Sequence, residues 1–139
     1  MHLLDTDILS LVYKDHSAVV ANLQTLPKEE VGTTIVTEIE MLRGRYDFLF
    51  KAANAAELVK AQELLVRTKD FLAKIAVIPL DMAAAQIFDR LCATKGVKKL
   101  GRADVLIASI ALAHKATLVT RNVRDFKRIP NLKVVNWAD

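Results

Sequence analysis

The chain has 139 residues, 53% of them hydrophobic, with four glycines, three prolines, one cysteine and a formal net charge of +4. That length suits one domain, residues 1–139, with a core of its own, and the lone Cys92 excludes internal disulfides and a cysteine zinc centre, which suits a reducing cytoplasm. No run approaches the about 20 apolar residues of a membrane span, no charged segment leads into an apolar one as in an export signal, and the mild basicity permits a polyanionic partner such as nucleic acid without requiring one.

Residues 2–5 (HLLD) read as a short buried strand that runs into a helical turn or two through Ile8, Leu9 and Val12. Residues 16–25 suit a helix that Pro27 closes, and the β-branched VGTTIV at 31–36 reads as a second strand. From Thr37 to about Ala53 the spacing of Ile39, Leu42, Tyr46 and Leu49 predicts a helix. Asn54 can cap another over 55–74, with Leu58, Ala61, Leu65 and Leu72 on one face. A third strand is expected at 76–80, an Ala-rich helix at 81–96, a helix at 102–115 after Gly101, and a fourth strand at 116–120. RNVRDFKRIP reads as a basic loop and LKVVNW (132–137) as a fifth strand. Strands alternating with helices predict a three-layer α/β/α domain on a mostly parallel, roughly five-stranded sheet.

Open sheets of this kind bind ligands beyond the carboxyl ends of their strands. Asp5 ends the first strand, Glu38 and Glu40 follow the second, and Asn122 and Asp125 follow the fourth. Asp104 lies in the first turn of the helix that leads into the fourth. Four separated segments thus deliver oxygen ligands to one edge of one sheet, with no cysteine or suitably spaced histidine among them. Such a set suits a hard cation, Mg²⁺ or Mn²⁺.

Each acid also has a purely structural explanation. Thr37-Glu38-Ile39-Glu40 fits a capping box with Thr37 as N-cap. Asp104 would favour a helix N-terminus through its dipole, Asp7 would cap the first helix, and Asp125 would form a side-chain turn. Periodicity counts against this for Asp104, which shares a helix face with Ile107, Ala108 and Ala111. A carboxylate beside apolar packing is costly unless something compensates it.

Other chemistries find little support. His2, His16 and His114 are scattered, Ser10 and Ser109 lack a partner base in any motif, and Cys92 falls on an apolar helix face as a core residue. There is no phosphate-binding glycine loop. Lys98, Lys99 and Arg102 precede Asp104, and Arg121, Arg124, Lys127 and Arg128 surround Asn122 and Asp125. These form either a solvated basic loop or a seat for the phosphates that flank a scissile bond.

Three blocks, LLDTDILS at the N-terminus, TEIEMLRG at 37–44, and GRADVLIASIALAHKATLVTRNVRDF at 101–126 with the closing LKVVNW, resemble the PIN domain family, in particular its VapC-like toxin branch. The resemblance spans the chain, with residues 50–95 matching in helical character only. It implies a PIN fold and a Mg²⁺- or Mn²⁺-dependent endoribonuclease, the toxin of a toxin–antitoxin pair. It implies metal ligation by Asp5, Glu40 and Asp104, with Glu38 facing elsewhere. The fourth acidic position falls on Asn122, where family members often carry Asp, and Asp125 could take part of its role. Thr6 and Thr120 are implied as hydrogen-bond supports, and Asp7, where relatives commonly carry Asn, as an orienting neighbour. RNA contacts are expected from Arg43, Arg102, Arg121, Arg124 and Lys127. A homodimer, and a cognate antitoxin whose tail occupies the acidic groove, complete what the family implies.

Two alternatives remain at this point. A non-catalytic PIN-like module that binds RNA or antitoxin is kept open by Asn122. The Asp5-Thr6-Asp7 start also fits a haloacid-dehalogenase-type phosphatase, although Ile8-Leu9 replaces the small-residue turn expected there.

Overall fold

Short apolar strands, too small to stand alone, are threaded between helices that cover both of their faces. The computed structural model describes residues 1–139. In chain order the elements are β1 (His2–Leu4), α1 (Thr6–Tyr13), α2 (Ser17–Gln24), β2 (Val31–Thr34), α3 (Ile35–Lys51), α4 (Ala55–Leu72), β3 (Ala76–Ile78), α5 (Met82–Cys92), α6 (Arg102–Ala113), β4 (Thr117–Val119), α7 (Val123–Phe126) and β5 (Lys133–Val135). The strands form one sheet in the order β3-β2-β1-β4-β5, and every pairing is parallel. The expected fold class is therefore found, with a sheet that is wholly parallel.

Alternation along the strands splits the core in two. Leu3 and Leu118 belong to a cluster with Ile107, Ala108 and Ala111 of α6 and Ala84 and Leu91 of α5. Their neighbours Leu4 and Val119 turn to the opposite face, among Ile8 and Leu9 of α1, Val19 of α2 and Leu72 of α4. α3 lends Val36 to the first cluster and Met41 to the second. Successive strand residues point to opposite faces, so a strand of three or four residues serves both layers. Gly32 in β2 allows the close approach of β3, because a Cβ there would meet the Ala76 carbonyl oxygen at 2.9 Å.

Several local boundaries differ from the sequence reading, each for a capping reason. β2 stops at Thr34, and Ile35 and Val36 already lie in α3. The Thr34 hydroxyl accepts the Thr37 amide at 3.2 Å, so Thr34 is the cap and the capping box on Thr37 and Glu40 does not form. Asp5, not Asp7, caps α1: its Oδ1 accepts the Ile8 amide at 3.0 Å. Asn54 caps α4 as expected. The basic segment after β4 contains the short helix α7, whose Phe126 is driven into the core. Cys92 is exposed at the end of α5 rather than buried.

Candidate acidic active site

After β1 the chain turns into α1 on one face of the sheet, and after β4 it turns into α7, whose Phe126 packs on the other. Adjacent strands whose connections part in this way leave a crevice at their carboxyl ends. The Asp5 amide donates to the Val119 carbonyl at 3.0 Å, so Asp5 and Thr120 emerge side by side at the head of that crevice.

Asp5 is buried, at 7% exposure. Burial raises its carboxyl to about 6, the charges of Asp7 and Asp104 add to the rise, and the Thr120 hydroxyl and Ile8 amide pull the other way. Asp104, half-buried in the first turn of α6, is also raised, first by burial and then by Glu40, Asp125 and Asp7. Carboxylates from α1, α3, α6 and α7 thus bring negative charge to bear on Asp5 or Asp104. Glu38, half-buried on α3, acts on neither Asp5 nor Asp104.

Their supports are specific. The Thr6 hydroxyl donates to Glu40 Oε1 at 2.6 Å and lies 3.2 Å from the Thr37 hydroxyl. Thr120 is buried, and its hydroxyl accepts the Asn122 amide at 3.0 Å. Asn122 Nδ2 donates to Asp125 Oδ2 at 2.9 Å, which pins Asp125 and uses the donor side of the Asn122 amide. Asp7 is exposed, a neighbouring charge and not a helix cap.

None of the basic residues forms an ion pair with these acids. The chain's one ion pair joins Arg121 to Asp139 at 3.5 Å. The Arg102 guanidinium lies 5.0 Å from the centre of the Phe88 ring. Arg43, Arg124 and Lys127 are exposed. One contributor went unnoticed in the sequence. Thr37, read as a cap, is a buried hydroxyl next to Thr6, and its only signal was its place three residues before Glu40.

Uncompensated carboxylates held close together, two of them with raised affinity for protons, are an all-oxygen donor set of the kind that suits Mg²⁺ or Mn²⁺. No three acids converge on one point as a ready-made metal centre. Donor chemistry thus fits a hard divalent ion, with Asp5, Asp104 and Glu40 as the residues that would hold it and water completing its shell. A cavity of about 640 Å³ lies elsewhere, lined by apolar residues such as Val12, Leu23, Phe71 and Ile75. It contains none of these acids, so the chemistry is assigned to the crevice.

Comparison with known proteins identifies the family and agrees with the fold. A family model described as the PIN domain matches residues 2–132. Ribonuclease VapC2 of Rickettsia felis is 30% identical over 140 residues, which span 99% of this chain and 98% of that protein. Ribonuclease VapC1 of Haemophilus influenzae (strain R2866) is 28% identical over 142 residues, 99% of this chain and 98% of that one. The crystal structure of VapBC2 from Rickettsia felis bound to a DNA fragment from their promoter superposes with a TM-score of 0.77 at 28% identity, covering 98% of each chain. The haloacid-dehalogenase alternative falls with the family match, and Asp7, as an exposed residue of α1, is left with no acid–base part to play. The chain belongs to the PIN domain family, on its VapC-like branch.

Proposed function

We propose that this protein is a Mg²⁺- or Mn²⁺-dependent endoribonuclease that hydrolyses RNA phosphodiester bonds, and that it is the toxin of a toxin–antitoxin pair. The observation that carries the reading is the buried Asp5 at the head of the β1/β4 crevice, whose carboxyl feels the charge of Asp104, which in turn feels that of Glu40, with no ion pair to neutralise any of the three. The ribonuclease names of relatives that align along the full chain support the substrate class. The VapBC2 complex supports an antitoxin partner.

In this mechanism Asp5, Asp104 and Glu40 would hold the ion. Bound there, a divalent ion supplies positive charge against the charge that grows on the phosphate and makes water a stronger nucleophile at neutral pH. Burial keeps Asp5 in a fixed orientation, with Ile8 and Thr120 fixing the carboxylate plane. Asn122 and Asp125 form a hydrogen-bonded pair at the rim, where Asp125 contributes charge and Asn122 orients it. Arg43, Arg102, Arg124 and Lys127 seat the phosphates on either side of the scissile bond, whereas Arg121 must first leave Asp139. No histidine belongs to the cluster, so protons pass to solvent. A homodimer in the cytoplasm is part of the proposal, and no helix is long and apolar enough to cross a membrane.

The test is cleavage of a mixed cellular RNA pool by the purified chain freed of antitoxin. Cleavage should need Mg²⁺ or Mn²⁺, stop on chelation and vanish in Asp5→Asn. Metal-independent cleavage, or none with metal present, refutes the reading. Asn122 in place of a fourth acid favours a second reading, a binding module without turnover, which metal-independent RNA binding with no cleavage would establish.

A further inference from the structure

A line of polar side chains, Thr34, Thr37, Thr6 and Glu40, links the end of β2 and α3 to α1. The Thr34 hydroxyl lies 3.5 Å from that of Thr37, Thr37 lies 3.2 Å from Thr6, and Thr6 reaches Glu40 Oε1 at 2.6 Å. Thr34 and Thr37 are fully buried. A hydroxyl has one proton to give and two lone pairs to receive with. A carboxylate only accepts, and 2.6 Å is the short distance of a charge-assisted bond, so the Thr6 proton is committed to Glu40. The contact between Thr6 and Thr37 then has one polarity left: Thr37 donates and Thr6 accepts. Thr34, which accepts the Thr37 amide at 3.2 Å, has its own proton free to point at the Thr37 oxygen. All the donations run one way, Thr34 to Thr37 to Thr6 to Glu40, and each strengthens the next.

We propose that Thr37 is a positioning residue for Glu40: through Thr6 it holds the carboxylate of Glu40 in one rotamer, and so tunes the affinity of the acidic site for a divalent cation. The proposal rests on the ribonuclease reading for its link to cation binding, while its structural half stands without a metal. The geometry leaves Thr37 little else to do. It does not cap α3, which Thr34 does, and its hydroxyl sits at a fully buried place where valine would fill the same space. A buried hydroxyl without a task is a cost. Here its task is to keep Thr6 from turning its proton elsewhere. Without that donation the Thr6 hydroxyl becomes a poorer donor and Glu40, on the open side of α3, samples several rotamers.

The experiment compares wild type, Thr37→Val and Thr37→Ser. In metal-free protein, three-bond couplings of the Glu40 side chain by NMR should report one rotamer in wild type and Thr37→Ser and an average in Thr37→Val. Mn²⁺ binding followed by calorimetry should weaken about 10-fold in Thr37→Val, the lower end of what supporting residues of metal ligands typically contribute, and recover in Thr37→Ser. RNA cleavage should lose kcat with KM unchanged. A single Glu40 rotamer in folded Thr37→Val, or failure of Thr37→Ser to restore it, overturns the proposal. If wild type neither binds Mn²⁺ nor cuts RNA, the ribonuclease reading fails, and the rotamer result still decides the role of Thr37. Thr6→Val, which removes the final donor, should average the Glu40 couplings as Thr37→Val does. It serves as the check should Thr37→Val not fold.

Discussion

Asp5→Asn should make the metal-free protein more stable, although it removes the residue on which the chemistry depends. Asparagine keeps the side-chain oxygen that accepts the Ile8 amide, and Asn caps helices as well as Asp does. What it removes is a negative charge in a buried place. The Asp5 carboxyl stands at about 6 in the fold against 3.8 ordinarily. The folded protein therefore binds the proton more tightly than the unfolded chain, and stability falls as pH rises from about 4 to about 6. At about 1.36 kcal/mol per pH unit, the full effect above that window is about 3 kcal/mol, and Asp5→Asn, which mimics the protonated acid, recovers it. Unfolding entropy of about 2.1 cal/mol/K per residue, taken over 139 residues, converts this into a rise in Tm of about 10 °C. Thermal unfolding in chelator at pH above 7 should show that rise, and below about pH 4 the two proteins should melt together. Adding Mg²⁺ should narrow the gap by stabilising wild type alone. A variant that melts lower than wild type in chelator at neutral pH, or a gap that does not depend on pH, refutes the account of Asp5 as an uncompensated buried carboxylate.

Asp104→Asn should also raise the metal-free Tm, because burial and the charges of Glu40, Asp125 and Asp7 all oppose its ionisation; a strong loss of stability in differential scanning calorimetry would mean that the carboxylate serves the α6 N-terminus instead. Gly32→Ala should cost about 1–3 kcal/mol in urea unfolding, since the added Cβ meets backbone and not a movable side chain; an unchanged midpoint would show that β2 and β3 can part without loss. Replacing Arg124 and Lys127 together with glutamine should weaken RNA binding and lower its salt dependence by about two phosphate contacts, read from the slope of log affinity against log salt concentration; an unchanged slope would place these side chains away from the RNA.

The alternation of strands and helices was legible because each strand is a short aliphatic run between strong helix formers, and a parallel sheet follows from that order. Asp5 and Asp104 could be singled out because each is a charge set into an apolar pattern. The start of α3 was misread for a physical reason: Ile35 and Val36 are β-branched and look like strand, but their burial in the core is satisfied equally well by a helix that Thr34 caps. That shift of three positions moved Thr37 from cap to buried hydroxyl. Propensity could not have revealed this, since it depends on what Thr6, 31 residues away, places opposite. Arg121 read as one of several free cations, and its pairing with Asp139 depends on where the last strand leaves the sheet. Cys92 was assigned to the core on helical phase, but α5 ends at that residue and its side chain meets solvent.

The cap that Asp5 places on α1 also restricts how such a chain can change. An acid that only bound an ion could be exchanged for any small residue once cleavage was no longer needed. Here the same oxygen anchors the first turn of the first helix, against the central strand, so alanine or leucine would leave the Ile8 amide without its partner in a dry place. Asparagine, serine and threonine remain open, because each still offers an accepting oxygen to that amide. A descendant that gave up catalysis would therefore exchange Asp5 for one of these and gain stability with asparagine, so the exit from enzyme to inert binder runs downhill in free energy and through a narrow set of residues.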